Sequence, residues 1–479
     1  MKKTKIFKIH FICFFIGIFF ILAGCEVFNL EEQPKSFTSP ENFFNSSQQI
    51  ESVLAACQSR CFQVWRMAYD DGHYIFVHTD QLAGGDLIIP TNHASDFYAL
   101  HFANIKDLNF AIASMKKRTL EGLSATESNQ LMGQLKFLRA WNYFQVVRMW
   151  GPVPLLTDET PDYFNALPSR APIADVYQLI VTDFQEAINK LPVTWGNLVG
   201  RPTKDAAKAL LAKAYLTMAT APLNETSNYA KAAELAKQVI DAGNYHLVHD
   251  IDQVFSMATK YGPEMIWSFN ANKDNPATNP KIWSGIYGWG DNSADIWWVD
   301  NVYPEQPRKY AYIEILNHEG VRFSNLPNKV PGIKKYLYDT WEDFQNKRSY
   351  INIPVIRYAE VLLIFAEAEN MSKGGPTQEV VDAINSVIDR ANGYEPNPNY
   401  SLLTTGMSKE AFDAAVIDER SFELCFEYDR WFDLVRKRIL KEKSRPEIQN
   451  NFDEHIYLFP IPESEIKLNP NMEQNIGYN

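Results

Sequence analysis

Residues 283 to 303 carry the densest group of side chains able to hold a carbohydrate ring. Trp283-Ser-Gly-Ile-Tyr-Gly-Trp289 is followed by Asp291-Asn-Ser-Ala-Asp-Ile-Trp-Trp298 and Tyr303. A sugar presents apolar C–H faces ringed by hydroxyls, so its binder offers flat aromatics flanked by amides, carboxylates and guanidinium groups. Trp283, Tyr287, Trp289, Trp297 and Trp298 sit among such groups. Trp65, Arg66, Tyr69, Asp70, Tyr74 and Asp80 repeat that chemistry and are candidates for a facing wall. Each tryptophan is equally a candidate for the core, and Trp297 and Trp298, being neighbours, do not easily both face one ligand.

Bond-breaking chemistry has no comparable signature. The chain contains no Gly-rich phosphate loop, no His-Glu-x-x-His metal motif and no Gly-x-Ser-x-Gly elbow. Its nine histidines are scattered without ligand spacing, so neither a metal nor a cofactor is expected. Arg139, Arg357, Glu360, Glu367, Glu419, Arg420, Glu423, Asp429, Arg430 and Asp433 fall at helical spacings that permit ion pairs within the chain. They read as scaffold. A catalytic carboxylate pair needs two acids at a defined separation across a cleft.

One nucleophile does stand out, at the amino end. Lys2, Lys3, Lys5 and Lys8 form a basic segment, and Ile9 to Ile21 is apolar apart from His10 and Gly17. This is a secretory leader, too short for a stable membrane span. It closes on Leu22-Ala23-Gly24-Cys25, a pattern like a bacterial lipobox. Ala23 and Gly24 let the backbone enter a peptidase cleft, and the Cys25 thiol attacks the diacylglycerol donor. Removing 24 of 479 residues leaves 455, anchored by acyl chains that contribute about 0.8 kcal/mol per buried methylene.

Composition narrows the partners. The 46 Lys and Arg fall to 42 without the four leader lysines, against 58 Asp and Glu. So acidic a chain is a poor neutraliser of phosphates, and nucleic acid is not an expected partner. Cys57, Cys61 and Cys425 are an odd set and imply no disulfide framework; Cys57 and Cys61, one helical turn apart, read as small buried residues.

These side chains need a frame, and its periodicity is helical. Apolar residues recur near every 3.6 positions in Asn129 to Met149, Pro172 to Leu191, Thr203 to Met218 and Tyr229 to Ala242. Val355 to Asn370, Gln378 to Ala391 and Lys409 to Leu440 supply the remaining long helices. Thr203 to Tyr245, rich in alanine at the contacts, looks like a tetratricopeptide hairpin whose 34-residue period is lost elsewhere. Two stretches break the pattern: Trp65 to Tyr98, with Gly84, Gly85 and Pro90, and about 243 to 354, rich in Gly, Pro, Asn and Trp. Val248 to Ile251 and Met265 to Asn270 are candidate short strands. Long irregular segments in a globular chain are usually functional.

Four motifs together resemble the SusD/RagB family of surface lipoproteins. They are Phe137-Leu-Arg-Ala-Trp-Asn-Tyr-Phe-Gln-Val-Val-Arg-Met-Trp-Gly-Pro-Val-Pro-Leu155 and Ile356-Arg-Tyr-Ala-Glu-Val-Leu-Leu-Ile-Phe-Ala-Glu-Ala-Glu369. The third is Asp418-Glu-Arg-Ser-Phe-Glu-Leu-Cys-Phe-Glu-Tyr-Asp-Arg-Trp-Phe-Asp-Leu-Val-Arg436. The fourth is Tyr457-Leu-Phe-Pro-Ile-Pro-Glu-Ser-Glu-Ile-Lys-Leu-Asn-Pro-Asn-Met-Glu-Gln-Asn475, read as an extended tail. The resemblance spans nearly all of the mature chain. It implies a mostly α fold of four imperfect tetratricopeptide pairs under a loop-rich ligand face. One domain, 25–479, follows the leader, with an N-terminal region of about 25–220 and a C-terminal region of about 260–479.

The family further implies a lid on a SusC-like TonB-dependent transporter, lipid-anchored at the outer membrane and facing outwards, that binds and does no chemistry. Its ligand is an oligosaccharide or, in part of the family, a peptide; a secreted hydrolase is the third reading. The leader makes its own claim. Cys25→Ala is expected to fold but to carry no acyl chain and to leave the outer membrane, as metabolic acyl labelling and fractionation would report. Normal labelling of the variant would remove the lipobox.

Overall fold

A computed structural model describes residues 44–478 apart from 45, 71–78, 83–90, 118–121, 164, 338–339, 445–448 and 451. Cys25, its leader and Tyr74 lie outside the described residues. What is described is mostly helical. Four pairs stack in order: α1 (Ser47–Asp70) with α2 (Thr91–Lys117), α3 (Ala125–Trp150) with α4 (Ile173–Lys190), α5 (Lys204–Met218) with α6 (Asn228–Asp241), and α7 (Tyr358–Lys373) with α8 (Gln378–Ala391). After a long irregular insert, α7 returns to pack directly on α6, so the stack continues as if uninterrupted. α9 (Lys409–Glu423) packs on α7 and α8, and α10 (Arg430–Arg436) follows.

Local chemistry sets these boundaries. Ser124 and Glu127 form a reciprocal capping box at the start of α3, with bonds of 3.2 and 2.9 Å. Gly151, at φ +71°, ends that helix before Pro152. Thr203 caps α5, and Gly243, at φ +66°, sits just beyond α6. Alanines 206, 207, 209, 212, 214, 232, 233 and 236 are buried, which lets α5 and α6 approach closely. Cys57, Cys61 and Cys425 are free thiols inside the core; burial pushes Cys57 up to about 12.

Four expectations about elements need correction. The stretch 409–440 is not one helix, because Phe426 and Tyr428 adopt positive φ (+62° and +82°) and turn the chain between α9 and α10. Val248 to Asp250 are irregular and Ile251 opens a 3₁₀ turn, whereas Met265–Phe269 is the strand expected there and pairs antiparallel with Ile353–Arg357. The irregular amino-terminal stretch is shorter than its composition suggests: α1 runs through Trp65 to Asp70, and α2 already includes Tyr98. The tail is not wholly extended either, since Glu463–Leu468 forms a short helix.

The charged motif residues are interior, and their partners come mostly from distant elements. Arg357 reaches Glu264 at 2.6 Å, Glu423 at 2.7 Å and Glu427 at 2.7 Å. Arg390 binds Glu264 and Glu423, Arg308 binds Glu419 and Glu423, and Lys335 binds Glu427. A second cluster joins Glu367 to Arg436 (2.5 Å) and Asp433 to Arg420 (2.8 Å), and Glu360 meets Lys213 at 2.9 Å. Arg139 grips Asp183 and Asp158, each at 2.6 Å. The first and fourth motifs clasp each other: Phe459 N donates to Met149 O at 2.8 Å, Trp150 Nε1 to Pro460 O, and Asn475 Nδ2 to Phe459 O and Trp150 O.

This interior fixes the acid response. Burial alone would raise the Glu367 carboxyl, but Arg436 and Lys437 outweigh it and bring it down to about 2 from 4.5. Asp433 and Glu423 are likewise held below the carboxylate range by their arginines, against the effect of burial. A depressed carboxylate contributes stability that is present above its unfolded value and is lost as pH falls towards the folded one. The melting temperature is therefore expected to fall from about pH 4.5 down to about pH 2. Glu367→Gln should melt lower at neutral pH and show a flatter acid limb in calorimetry; an unchanged limb would assign the acid response elsewhere.

Candidate ligand-binding site

The insert folds back on itself around two glycines. A Cβ on Gly332 would lie 2.3 Å from Glu314 Oε2 and 2.5 Å from Gly285 N, so only bare backbone fits. That approach seats Glu314 beneath the loop from Ser284 to Trp289. Its carboxylate accepts from Ser284 Oγ at 2.9 and 3.1 Å and from Ile286 N at 3.0 Å. Burial raises the pKa of Glu314, and these donors work against the rise. The loop that carries Tyr287 and Trp289 is thus pinned from below.

Above it opens a cavity of about 800 Å³, with Phe255, Tyr287, Tyr312, Glu314, Lys334 and Trp341 in its wall. Tyr287 packs edge-on against Trp341 at 5.9 Å. The Tyr287 hydroxyl accepts from His318 N at 2.8 Å and meets His318 Nδ1 at 2.6 Å. Trp341 stacks on Phe344 at 4.8 Å and is still 51% exposed. Trp289, also 51% exposed, is tied by its backbone N–H to Lys281 O, and Lys281 in turn reaches over Phe344. Trp289 is not in the wall of the cavity, and the Lys347 ammonium lies 5.0 Å from its ring centroid.

The other candidates divide sharply. Trp283 and Trp298 are fully buried, Trp298 against Tyr303, Phe422 and Phe426, and Tyr303 is buried with it. Trp297, its neighbour on the short helix Ile296–Asn301, is 40% exposed but does not line the cavity. The expected facing wall is overturned at two positions. Trp65 lies on the inner face of α1, stacked on Tyr428 at 4.0 Å, because the helix continues through it. Asp80 is buried in a two-point ion pair with Arg430, at 2.8 and 2.6 Å. The side chains of Arg66, Tyr69 and Asp70, like Tyr74, lie outside the described residues. The segment does meet the insert: Leu82 bridges Ala294, and Asp295 N donates to Gln81 O at 2.8 Å.

Sequence reasoning missed Trp341, His318 and Lys334. Trp341 had a readable signal, since Thr340 followed three residues later by Asp343 caps a helix and leaves the first helical side chain outward. His318 and Lys334 had none, because they reach the cavity from turns without periodicity.

The described residues form a helical-repeat scaffold with an irregular, aromatic-lined face. Residues 268–478 match the SusD family, and residues 30–216 match the family described as starch-binding, associating with outer membrane. The chain belongs to the SusD/RagB family. It is 26% identical to SusD-like protein P2 of Formosa agariphila over the full length of both chains. A SusD-like protein of Bacteroides ovatus is 21% identical, with 87% of this chain and 80% of the relative aligned. In structure it is similar to a SusD homolog of Bacteroides thetaiotaomicron, at TM-score 0.77 and 21% identity, covering 92% of this chain and 98% of that one. A laminarin-binding SusD-like protein aligns at TM-score 0.70 and 21% identity, covering 91% and 100%.

The burial pattern separates the indoles experimentally. Trp283→Ala is expected to cost about 3–5 kcal/mol of folding stability, whereas Trp289→Ala should stay within about 0.5 kcal/mol of the parent. Denaturant titration of the two variants checks both, and equal losses would refute the assignment of inside and outside.

Proposed function

We propose that this protein is a surface-exposed, lipid-anchored nutrient binder that captures oligosaccharide and delivers it to a partner SusC-like TonB-dependent outer-membrane transporter. The observation that carries this reading is a cavity of about 800 Å³ walled by Tyr287, Tyr312 and the exposed Trp341, with the exposed indole of Trp289 outside that wall. Such a volume suits a small ligand, and flat rings beside Lys334, Asn317 and His318 suit one that is apolar on its faces and polar at its rim. The leader ending at Cys25, the outer-membrane association in the matched family's description and the carbohydrate ligands named for similar proteins support the same role.

Binding proceeds without bond chemistry in this reading. Glu367, Glu419 and Glu423 of the motifs are committed to buried arginines. Residues 25–479 act as one domain, held outside the cell by the Cys25 lipid. The scaffold meets the transporter and the insert keeps its aromatic face for the ligand. The carrier opens and closes over the pore.

A glycan and peptide array on the lipid-free protein, followed by titration of variants, tests the ligand class. Trp289→Ala and Trp341→Ala should each weaken the selected oligosaccharide by about 1–3 kcal/mol, the scale for flat rings stacked on aromatic side chains, with unchanged melting temperatures. Retention of peptides and of no glycan would overturn the sugar reading. Pull-down from solubilised outer membranes should recover a large β-barrel partner, and recovery of none would remove the transporter role.

A further inference from the structure

A second cleft lies where the first part of the insert meets the scaffold, and it shares no lining residue with the cavity around Tyr287. One half, about 150 Å³, is walled by Trp195, Tyr245 and Tyr261; the other, about 210 Å³, by Gln58, Ser59 and Asn275. Gly200 and Asn270 belong to both halves and form the ridge between them. Gly200, at φ +88°, leaves no room for a side chain, since a Cβ there would fall 1.7 Å from Asn270 Nδ2. Trp267 fixes it from beneath with an indole hydrogen bond to its carbonyl at 3.3 Å.

The ridge is built to offer a donor. Asn270 Oδ1 accepts from Ser268 Oγ at 3.3 Å and Asn352 Nδ2 at 3.0 Å, which turns its own Nδ2 towards Gly200 and the cleft. The aromatic wall is held in advance as well. The Trp195 indole N–H donates to Pro202 O at 2.8 Å, Arg201 lies 5.2 Å from its ring centroid, and the Tyr245 hydroxyl meets Thr203 Oγ1 at 3.4 Å. Tyr261 is 49% exposed. Both cations at the cleft are already engaged: Arg201 with Glu51 at 2.8 Å, and Lys260 with the carbonyls of Ala271 at 2.8 Å and Tyr350 at 3.0 Å. The cleft therefore offers flat rings, amides and hydroxyls, with Arg201 paired to a carboxylate and the Lys260 ammonium turned onto two backbone carbonyls.

We infer that this cleft is a second carbohydrate site, taking a neutral, hydroxyl-rich stretch of a long glycan. Tyr261 and Trp195 cover a pyranose C–H face, and Asn270, Gln58 and Asn275 exchange hydrogen bonds with hydroxyls across the ridge. The inference rests on the glycan-binding reading above and adds valency to it. Two weak sites on one chain hold a polymer far more tightly than either holds a short fragment.

The test uses the whole mature chain with immobilised laminarin, starch, mannan and xylan, and with tetrasaccharides of whichever polymer retains it. Calorimetric titration of the parent should give two tetrasaccharides per chain, falling to one in the double variant Tyr261→Ala/Gln58→Ala. Polymer affinity should fall by about tenfold or more in that variant, with an unchanged melting temperature. Trp289→Ala should lose the other tetrasaccharide and keep this one. One tetrasaccharide per parent chain, lost in Trp289→Ala while the double variant holds polymer normally, would overturn this inference and leave the insert site standing. Failure of all four polymers to retain the parent would overturn the neutral-glycan assignment of both sites.

Discussion

Everything on the ligand face depends on the buried ion cluster around Glu423. Arg308 and Lys335 come from the insert, Glu264 stands at its entry, Arg357 ends the strand that closes it, and Arg390, Glu419, Glu423 and Glu427 belong to the scaffold. Four cations and four carboxylates are thus shared between a segment of loops and short elements and a stack of helices. Buried ion pairs add little net stability over a well-packed apolar substitute, yet removing one partner costs about 3–5 kcal/mol because a charge is stranded. Such a cluster selects one arrangement. An insert shifted by a residue or two would leave several charges unpaired at once, which a greasy interface would tolerate.

That constraint explains why the irregular insert can present a defined face. Tyr312, which bonds Glu423 Oε1 at 3.1 Å, lines the cavity and also takes the Lys335 ammonium over its ring at 3.9 Å. One wall of the cavity is therefore a direct continuation of the ion cluster. The opposite wall, with Tyr287, is set by Glu314 and the glycine contact. Rigidity on both sides leaves the exposed rings little entropy to lose on binding.

Much of the scaffold was legible in the sequence, and the reason is period. The helices from α3 to α8 repeat apolar residues at helical spacing and carry their caps in plain sight at Ser124, Thr203 and Gly243. The charged motif residues were legible as interior pairs, though not their partners, because Arg308 and Lys335 lie in sequence that carries no pattern. The site was half legible. The insert was marked by composition, and of its aromatic candidates Tyr287, Trp289 and Trp297 are exposed or half-exposed whereas Trp283 and Trp298, from the same stretch, are core. Exposure in an irregular segment is decided by tertiary contacts such as Phe422 and Phe426 on Trp298, and no local rule reports those. Trp65 is the opposite case. Extending the helical period of α1 by two turns would have placed it inside.

The pairing of Met265–Phe269 with Ile353–Arg357 has a consequence for how such a protein diversifies. The two strands form a neck, so the segment between them leaves and re-enters the scaffold at adjacent points. Lengthening a loop whose ends are already closed costs only a logarithmic entropy, roughly 0.6 kcal/mol for each doubling. Loops beyond the neck that do not contribute to the ion cluster are therefore free to grow, shrink or exchange their aromatic residues while the helices keep their registration. One frame can thus carry interchangeable faces, and a new specificity requires no new fold.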